Sequence, residues 1–116
     1  MDENRTKRVS EAVREELAEI IGFEMDDPRL NDISVTMVDV APDMRNATVK
    51  VAVGEAAEKK TLAALSHAKN FLKQELASRL NLRRVPDLHF AVDSHPDADQ
   101  RIEFLLRRAK RSKARD

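Results

Sequence analysis

The segment from residue 93 to residue 99 has the residue types and the alternate spacing of a metal-binding loop. Its pattern, D-x-H-x-D-x-D, supplies carboxylate and imidazole donors of the kind that bind divalent cations. A calcium loop of the EF-hand type also requires glycine at its sixth position and glutamate at its twelfth, where this chain has Ala98 and Phe104. We therefore predict no metal site, and we interpret the segment as a polar loop in which Asp97 or Asp99 caps a following helix.

The other reactive side chains do not assemble a catalytic pattern. The chain has no cysteine, which excludes a thiol nucleophile, a thiolate zinc site and a disulfide framework. Neither His67 nor His89 has a partner at a spacing typical of catalysis, and Ser34 and Thr36 lack an evident base. With only two glycines, the sequence contains neither a P-loop nor a GxxG clamp. We therefore predict that the protein is not an enzyme and takes no cofactor or small-molecule substrate.

Cations are concentrated in separate segments, although the formal net charge of the chain is zero. Residues 1–27 carry nine acidic and four basic side chains, whereas residues 69–84 carry five basic and one acidic. Residues 85–100 then carry four aspartates and no Lys or Arg, and residues 101–116 carry seven basic and two acidic side chains. Because a basic segment attracts phosphate even on a neutral molecule, this distribution is compatible with nucleic-acid binding.

The basic side chains of residues 69–84 are the main candidates for contact with a polyanion. They are Lys69, Lys73, Arg79, Arg83 and Arg84. Lys69 and Lys73 are four residues apart, so on a helix both can face one row of phosphates. Arg5, Lys7 and Arg8 form a second group at the amino end of the first predicted helix, where cations oppose the helix dipole and an external anion is favoured. A solvated helix face is the alternative interpretation of the first group.

Two segments have the apolar periodicity of amphipathic helices and must position most of these cations. The first ends at Asp26-Asp27-Pro28, because the residue before proline is pushed out of the helical region. The second extends from about Glu58 to Leu80. The first apolar stripe consists of Val9, Val13, Leu17, Ile20 and Ile21, and the second of Leu62, Leu65, Phe71, Leu72, Leu76 and Leu80. The second stripe continues through Asn70 without a break, so periodicity alone predicts one straight helix.

Three segments alternate apolar and polar residues, as strands with one buried face do. Their apolar positions are Ile33, Val35 and Met37; Ala47, Val49, Val51 and Val53; and Leu88, Phe90 and Val92. Turn-forming residues 41–46 separate the first two, which predicts an antiparallel hairpin. The parity of the first strand shifts at residues 37–40, which predicts a bulge or two-sided burial near its end. Phe71, Phe90 and Phe104 lie at or beside apolar stripe positions, so we expect them in the core, with no exposed aromatic platform for stacking bases.

The order helix, strand, strand, helix, strand predicts an α+β fold, a two-layer sandwich, because three one-sided strands need one covering layer of helices. The length of 116 residues fits a single domain, which we place at residues 1–106. That domain ends in a short helix with Ile102, Leu105 and Leu106, and the basic tail 107–116 is expected to be disordered in isolation. No apolar run approaches the roughly 18 residues of a membrane span, so we expect a cytoplasmic protein, and nothing calls for more than a monomer.

Five stretches of this sequence resemble the ribosome-binding factor A family in their order and spacing, over about residues 5–108. They are R-V-x-x-x-V-x-x-E-L-x-x-I-I at residues 8–21, D-D-P-R-L at 26–30, the hairpin at 34–51, F-L-K-Q-E-L-A-S-R-L-N-L-R-R-V-P-D-L-H-F at 71–90 and R-I-E-F-L-L at 101–106. The resemblance implies a KH fold of type II, with the order α-β-β-α-β and a kinked second helix. In the family, Ala-x-Gly marks the kink. Here Ala68-Lys69-Asn70 matches it, and asparagine tolerates positive φ better than most residues.

The same resemblance implies a function. A protein of this family binds the free small ribosomal subunit and its rRNA, and assists late assembly and rRNA maturation without catalysis. The expected RNA-binding residues are Arg5, Lys7, Arg8, Lys69, Asn70, Lys73, Arg79, Arg83 and Arg84. An alternative function is a protein-interaction module whose basic helix binds an acidic protein partner. The basic tail resembles both a phosphate-binding arm and a solubilising tail.

Overall fold

The first element of the fold is an amphipathic helix that packs against one face of the sheet. The protein is described by a computed structural model at residues 3–30, 33–54 and 57–93. Helix α1 (Glu3–Glu19) buries Val13 and Leu17 completely, as the spacing of its apolar residues predicts. On the opposite side of the helix, Glu15 and Glu19, which are four residues apart, are exposed. The helix therefore presents a buried apolar face and an acidic solvent face.

A wider π-type turn, Ile20–Glu24, continues α1 before the chain leaves the helix. The Met25 N–H donates to the Ile20 carbonyl oxygen over 3.0 Å, which is the i to i+5 bond of a π-turn. In a regular α-helix, Glu24 would follow Leu17 and Ile20 on the buried stripe, at spacings of seven and four. The π-turn moves Glu24 out of that stripe. A 3₁₀ turn, Pro28–Leu30, then leads to the sheet and buries Leu30.

The sheet contains three strands in the order β1-β2-β3. Strands β1 (Ser34–Val40) and β2 (Asn46–Ala52) are antiparallel and form the predicted hairpin. Strand β3 (Asp87–Val92) pairs in parallel with β2, with Asn46 opposite Asp87 and Val51 opposite Val92. Parallel neighbours need a crossover, which the second long helix provides. The predicted hairpin and the order α-β-β-α-β are confirmed.

The predicted bulge in β1 is also present, but it lies near the start of the strand rather than near its end. Val35 pairs with Val51 and Met37 pairs with Lys50, so Thr36 is the extra residue. Because one added residue reverses the side-chain parity, Met37 points outward and is 41% exposed, whereas Val38 is buried. The prediction that Met37 shares the buried face of Val35 was therefore wrong.

Helix α2 (Glu58–Leu80) is continuous through Asn70, so the kink implied by the family resemblance does not interrupt the helix. Among the described residues other than glycine, only Met44 and Asn81 have positive φ. Asn70 keeps a helical backbone because Leu65, Leu72 and Leu76, on both sides of it, are fully buried along one stripe. The left-handed residue is Asn81, with φ of 51°, which ends the helix in the position usually taken by glycine.

Both helices lie on one face of the sheet, which gives the predicted two-layer sandwich. The core between the layers contains Val49 and Leu88 from the sheet and Leu72 from α2, all with no exposed surface. Phe90 packs against this core as expected. Phe71, however, is 46% exposed, because it directly follows the outward-facing Asn70 and points about 100° away from Leu72 on the helix.

Some predictions concern residues outside the described ranges. They are the loop at residues 94–99, the terminal helix with Ile102, Leu105 and Leu106, the core position of Phe104 and the tail 107–116. Among the described helices, none has both the length and the apolar composition that a membrane-spanning segment requires.

Candidate nucleic-acid interface

Lys69 and Lys73 converge on one carboxylate at the start of β3. Their Nζ atoms lie 3.4 Å and 3.6 Å from Oδ1 of Asp87. All three side chains are partly exposed, and ion pairs at such positions hold their geometry weakly. The two lysines therefore lie on one side of α2, as their spacing predicts, and an incoming phosphate can compete with Asp87 for them.

The cations around Asp87 lower the pKa of its carboxyl group. Partial desolvation raises the pKa of the Asp87 carboxyl. The hydrogen bond and positive charge of Lys69, with the charges of Lys73 and His89, outweigh this and hold that pKa below its ordinary value. The carboxylate is consequently ionised at neutral pH, and its single negative charge stands among several cations.

An open groove lies between α2 and the outer edge of β3. Leu62, Ser66 and Lys69 line it from the helix, and Leu88, His89 and Phe90 line it from the strand. Its volume is about 330 Å³. The groove thus combines an apolar floor with polar and basic walls, a combination that suits a base and its phosphate.

His89 belongs to this surface, although no sequence pattern identified it as a contact. Its side chain is about half exposed. Its Nε2 atom lies 2.8 Å from Oδ1 of Asn46 and 3.6 Å from Oδ2 of Asp87. The parallel register places His89 opposite Thr48 on the uncovered face of the sheet. The only sequence signal was its polar position in the alternation of β3, which predicts exposure and does not identify its neighbours.

Arg83 and Arg84 lie in the exposed loop between α2 and β3. They precede Asp87 by four and three residues, so their backbone is tied to the same end of β3. The Asp87 N–H donates to the Arg45 carbonyl oxygen over 2.9 Å, which also brings the exposed residue Arg45 of the hairpin turn to this end. Arg45 was not among the sequence candidates, because it stands alone in a turn.

Arg79 does not share the surface of the two lysines. Its guanidinium contacts Glu24 of the π-turn, Glu75 one helical turn earlier at 3.1 Å and Glu16 of α1 at 3.4 Å. The hydrogen bond from Arg79 lowers the pKa of Glu24, and the same bond is the main cause that raises the pKa of Arg79. The structure thus assigns Arg79 to the junction of the two helices, where three carboxylates already bind it.

The amino-terminal cations Arg5, Lys7 and Arg8 are exposed on the first turns of α1. The Ser10 hydroxyl accepts a hydrogen bond of 2.9 Å from the Val40 N–H at the hairpin end of β1. Since Asp87 meets Arg45 at the same end of the sheet, both groups of cations flank the hairpin end, on opposite edges. With strands about 4.8 Å apart, the edges of this sheet are separated by roughly 10 Å.

Two other candidates differ from each other in their surroundings. Asn70 is exposed beside Lys69, in an unbroken helix, so it is accessible without a kink. Of the 93–99 segment, only Asp93 lies within the described ranges, where its carboxylate lies 2.9 Å from the Thr36 hydroxyl. In the described part of the chain, no group of three or more His, Asp or Glu residues is arranged to hold a metal ion.

Comparison with known proteins gives a consistent result over nearly the whole chain. The family model described as "Ribosome-binding factor A" matches residues 5–106. The ribosome-binding factor A of Solibacter usitatus is 58% identical over 118 aligned residues, which cover 100% of this chain and 96% of that protein.

Two structures from Thermus thermophilus are also similar. The crystal structure of its ribosome-binding factor A has a TM-score of 0.69 and 32% identity, and the match covers 75% of this chain and 94% of that one. A homology model of the same factor, fitted into a cryo-EM map of a 30S complex, has a TM-score of 0.56 and 30% identity, over 78% and 93% of the two chains. The predicted KH-like fold is confirmed by this likeness.

Proposed function

Because this chain belongs to the ribosome-binding factor A family, we propose that it binds the small ribosomal subunit and assists the assembly of that subunit. The homology model of the Thermus thermophilus factor, which was fitted into a map of a 30S complex, supports this partner. The observation that carries the proposal is the convergence of Lys69 and Lys73 on the exposed edge of β3, beside an open groove.

The proposed ligand is rRNA, and the proposed contacts are mainly with phosphate. Lys69, Lys73, Arg83 and Arg84 provide the central cations, and the groove between α2 and β3 accepts an unpaired base. Arg5, Lys7 and Arg8 extend the contact along the hairpin end of the sheet, and Asn70 contributes a hydrogen-bonding amide. Arg79 supports α2 from the opposite flank and is removed from the proposed contact set, since Glu16, Glu24 and Glu75 bind it.

The mechanism is differential binding. The protein stabilises one conformation of the free small subunit, and it dissociates when the mature conformation offers fewer contacts. No bond is made or broken, so the protein is not an enzyme and needs no cofactor. We propose that the protein acts in the cytoplasm. We also propose that it acts as a monomer, because the proposed interface lies within one chain.

The division of the chain follows the same proposal. Residues 1–106 form the KH-like domain, and the cations of residues 107–116 add affinity for phosphate that does not depend on sequence. Replacing those cations by glutamine in the full-length chain is expected to weaken binding to all RNA sequences alike. An unchanged affinity would make the segment a solubilising tail.

The site is tested by charge reversal with a charge-matched control. The test variant combines Lys73→Glu with Arg84→Glu. The control combines Lys59→Glu with Lys60→Glu on the exposed first turn of α2, and it changes the net charge by the same amount. The first pair is expected to weaken binding to small subunits at least roughly tenfold and to lower the salt dependence by roughly 1.5 in the log–log slope. If both pairs co-sediment with the subunit equally well, the proposed interface is wrong.

A nuclease treatment separates RNA binding from recognition of an acidic protein. Digestion of the rRNA abolishes the association if phosphate is the ligand. Association that survives digestion would favour the alternative function, a module that binds an acidic protein partner.

A further inference from the structure

The solvent face of α1 carries an exposed row that the proposed RNA interface does not use. Glu11, Glu15, Glu19 and Phe23 follow one another at intervals of four residues, and all are exposed. Phe23 is 65% exposed, the most exposed large apolar side chain of the described residues. Aromatic residues, phenylalanine included, are enriched in protein–protein interfaces relative to the rest of the surface.

The position of Phe23 is fixed by its neighbours on both sides. Ile20 and Ile21, earlier in the same π-turn, are buried in the core. Glu24, the next residue, is bound to Arg79 of α2, with a second contact of 2.8 Å between Nη1 and Oε2. The ring is therefore presented on a held backbone, which lowers the conformational entropy that a partner must overcome.

An open groove of about 280 Å³ extends along this row. Arg14, Glu15, Ala18, Glu19 and Phe23 line it. Arg14 is already engaged by Glu11, whereas the carboxylates of Glu15 and Glu19 have no hydrogen bond or ion pair among the described residues. The groove thus offers an apolar surface, formed by Phe23 and Ala18, next to two exposed negative charges.

We propose that this groove, the α1 groove, binds a basic protein segment that carries an apolar side chain among its Lys and Arg residues. The apolar side chain covers Phe23 and Ala18, and the flanking cations meet Glu15 and Glu19. The sign of the charge excludes the other occupants. RNA and anionic lipid surfaces are repelled by the two glutamates, and a second copy of this face would bring acidic rows together.

The α1 groove and the proposed RNA interface lie on different flanks of α2. Glu24, the residue after Phe23, binds Arg79, whereas Lys69 and Lys73 face Asp87 at the start of β3. A basic segment bound at α1 therefore adds an attachment point next to RNA rather than competing for Lys69 and Lys73. The inference goes beyond the proposed function and can fail independently of it.

The test uses two short fluorescein-labelled Lys/Arg peptides, one with two central leucines and one with serines in their place. Anisotropy titration of the full-length protein at low salt is expected to give tighter binding of the leucine peptide. Phe23→Ala weakens that peptide roughly fivefold to tenfold and leaves the serine peptide unchanged. Glu15→Gln with Glu19→Gln weakens both peptides and flattens their salt dependence. Because Phe23 is exposed, an unchanged Tm verifies that each variant is folded.

Lys69→Gln with Lys73→Gln is the complementary variant, since it removes two charges of the opposite sign from the other surface. If both proposals hold, this variant loses RNA affinity and does not weaken peptide binding. The inference is overturned if neither peptide binds, or if Phe23→Ala leaves the leucine peptide unaffected. It is also overturned if sedimentation detects a dimer that Phe23→Ala abolishes, because the groove would then belong to a second copy.

Discussion

Oδ1 of Asp87 lies 3.4 Å from Nζ of Lys69, so the first residue of β3 neutralises part of the charge that α2 offers to phosphate. Lys73 shares the same oxygen at 3.6 Å. An anionic ligand must therefore compete with a carboxylate that is fixed in the fold. We therefore expect Asp87 to limit the affinity for the proposed RNA ligand.

Replacing Asp87 by asparagine is expected to raise the affinity for small-subunit rRNA by roughly twofold to fivefold, because a negative charge near the phosphates is removed. The measurement is fluorescence anisotropy at fixed salt. Asp26→Asn is the control, since Asp26 is exposed and has the same charge but lies beyond the π-turn that follows α1. A lower affinity of the Asp87 variant would mean that Asp87 positions the lysines instead of competing for them.

Replacing Arg79 by methionine is expected to lower the Tm without changing RNA affinity. Methionine retains the apolar stem, but Glu16, Glu24 and Glu75 lose their shared cation and repel one another. Adding Glu24→Gln to this variant should recover part of the lost Tm, because one of the repelling charges is removed. A loss of RNA affinity in a folded Arg79→Met protein would return Arg79 to the RNA-binding set.

The same cluster predicts how stability depends on pH. The hydrogen bond from Arg79 lowers the pKa of Glu24 below its ordinary value of 4.5 in the folded protein. A group with a depressed folded pKa contributes stability above its unfolded pKa, and this contribution is lost as the pH falls through the folded value. The difference in Tm between the native protein and Arg79→Met is therefore expected to be constant at neutral pH and to shrink below about pH 4.5. A difference that grows under acid conditions would contradict the assignment.

Asn70 tests whether this chain uses the kink of its family. Because α2 is continuous here, Asn70→Gly is expected to reduce the free energy of unfolding by about 0.5 kcal/mol, and Asn70→Ala to increase it by a similar amount. Urea unfolding measures both. If glycine stabilises the protein or raises its RNA affinity, a bent form of α2 contributes to the functional state.

The hydrogen bond between the Val40 N–H and the Ser10 hydroxyl closes the exposed edge of β1 against α1. Ser10→Ala leaves this buried donor without a partner, so the free energy of unfolding should fall by about 1 kcal/mol. Ser78→Ala, on the exposed face of α2, is the control and should change stability by a few tenths at most. Amide hydrogen exchange at Val40 should accelerate only in the first variant.

The elements were predictable because each of them buries one face, and a buried face leaves a period in the sequence. Val49 is fully buried at a position that the strand alternation identified, and Leu72 is fully buried at a position of the helical stripe. Period alone cannot locate a one-residue insertion, so the bulge at Thr36 displaced Met37 from its predicted face. Phe71 shows a second limit of prediction from periodicity. It is an apolar residue next to the buried stripe of α2, but it does not belong to the stripe and is exposed.

Only the part of the candidate site formed by residues close together in the sequence was predictable. Lys69 and Lys73 are neighbours on a helix, and their convergence follows from their separation of four residues. Arg79 belongs to the same basic stretch in the sequence, but its partner Glu24 is 55 residues away along the chain. Contacts over such separations depend on how two helices pack, which no local period encodes.

The parallel pairing of β2 with β3 determines when the interface can exist. Asn46 and Asp87 are 41 residues apart, and all of α2 lies between them. A chain emerging from its own ribosome can close the hairpin early, but it cannot place Asp87, His89 and the two lysines together until residues up to 92 have been synthesised. A nascent chain that has not reached residue 92 therefore carries the cations without the assembled surface, and the proposed rRNA interface requires the complete sheet.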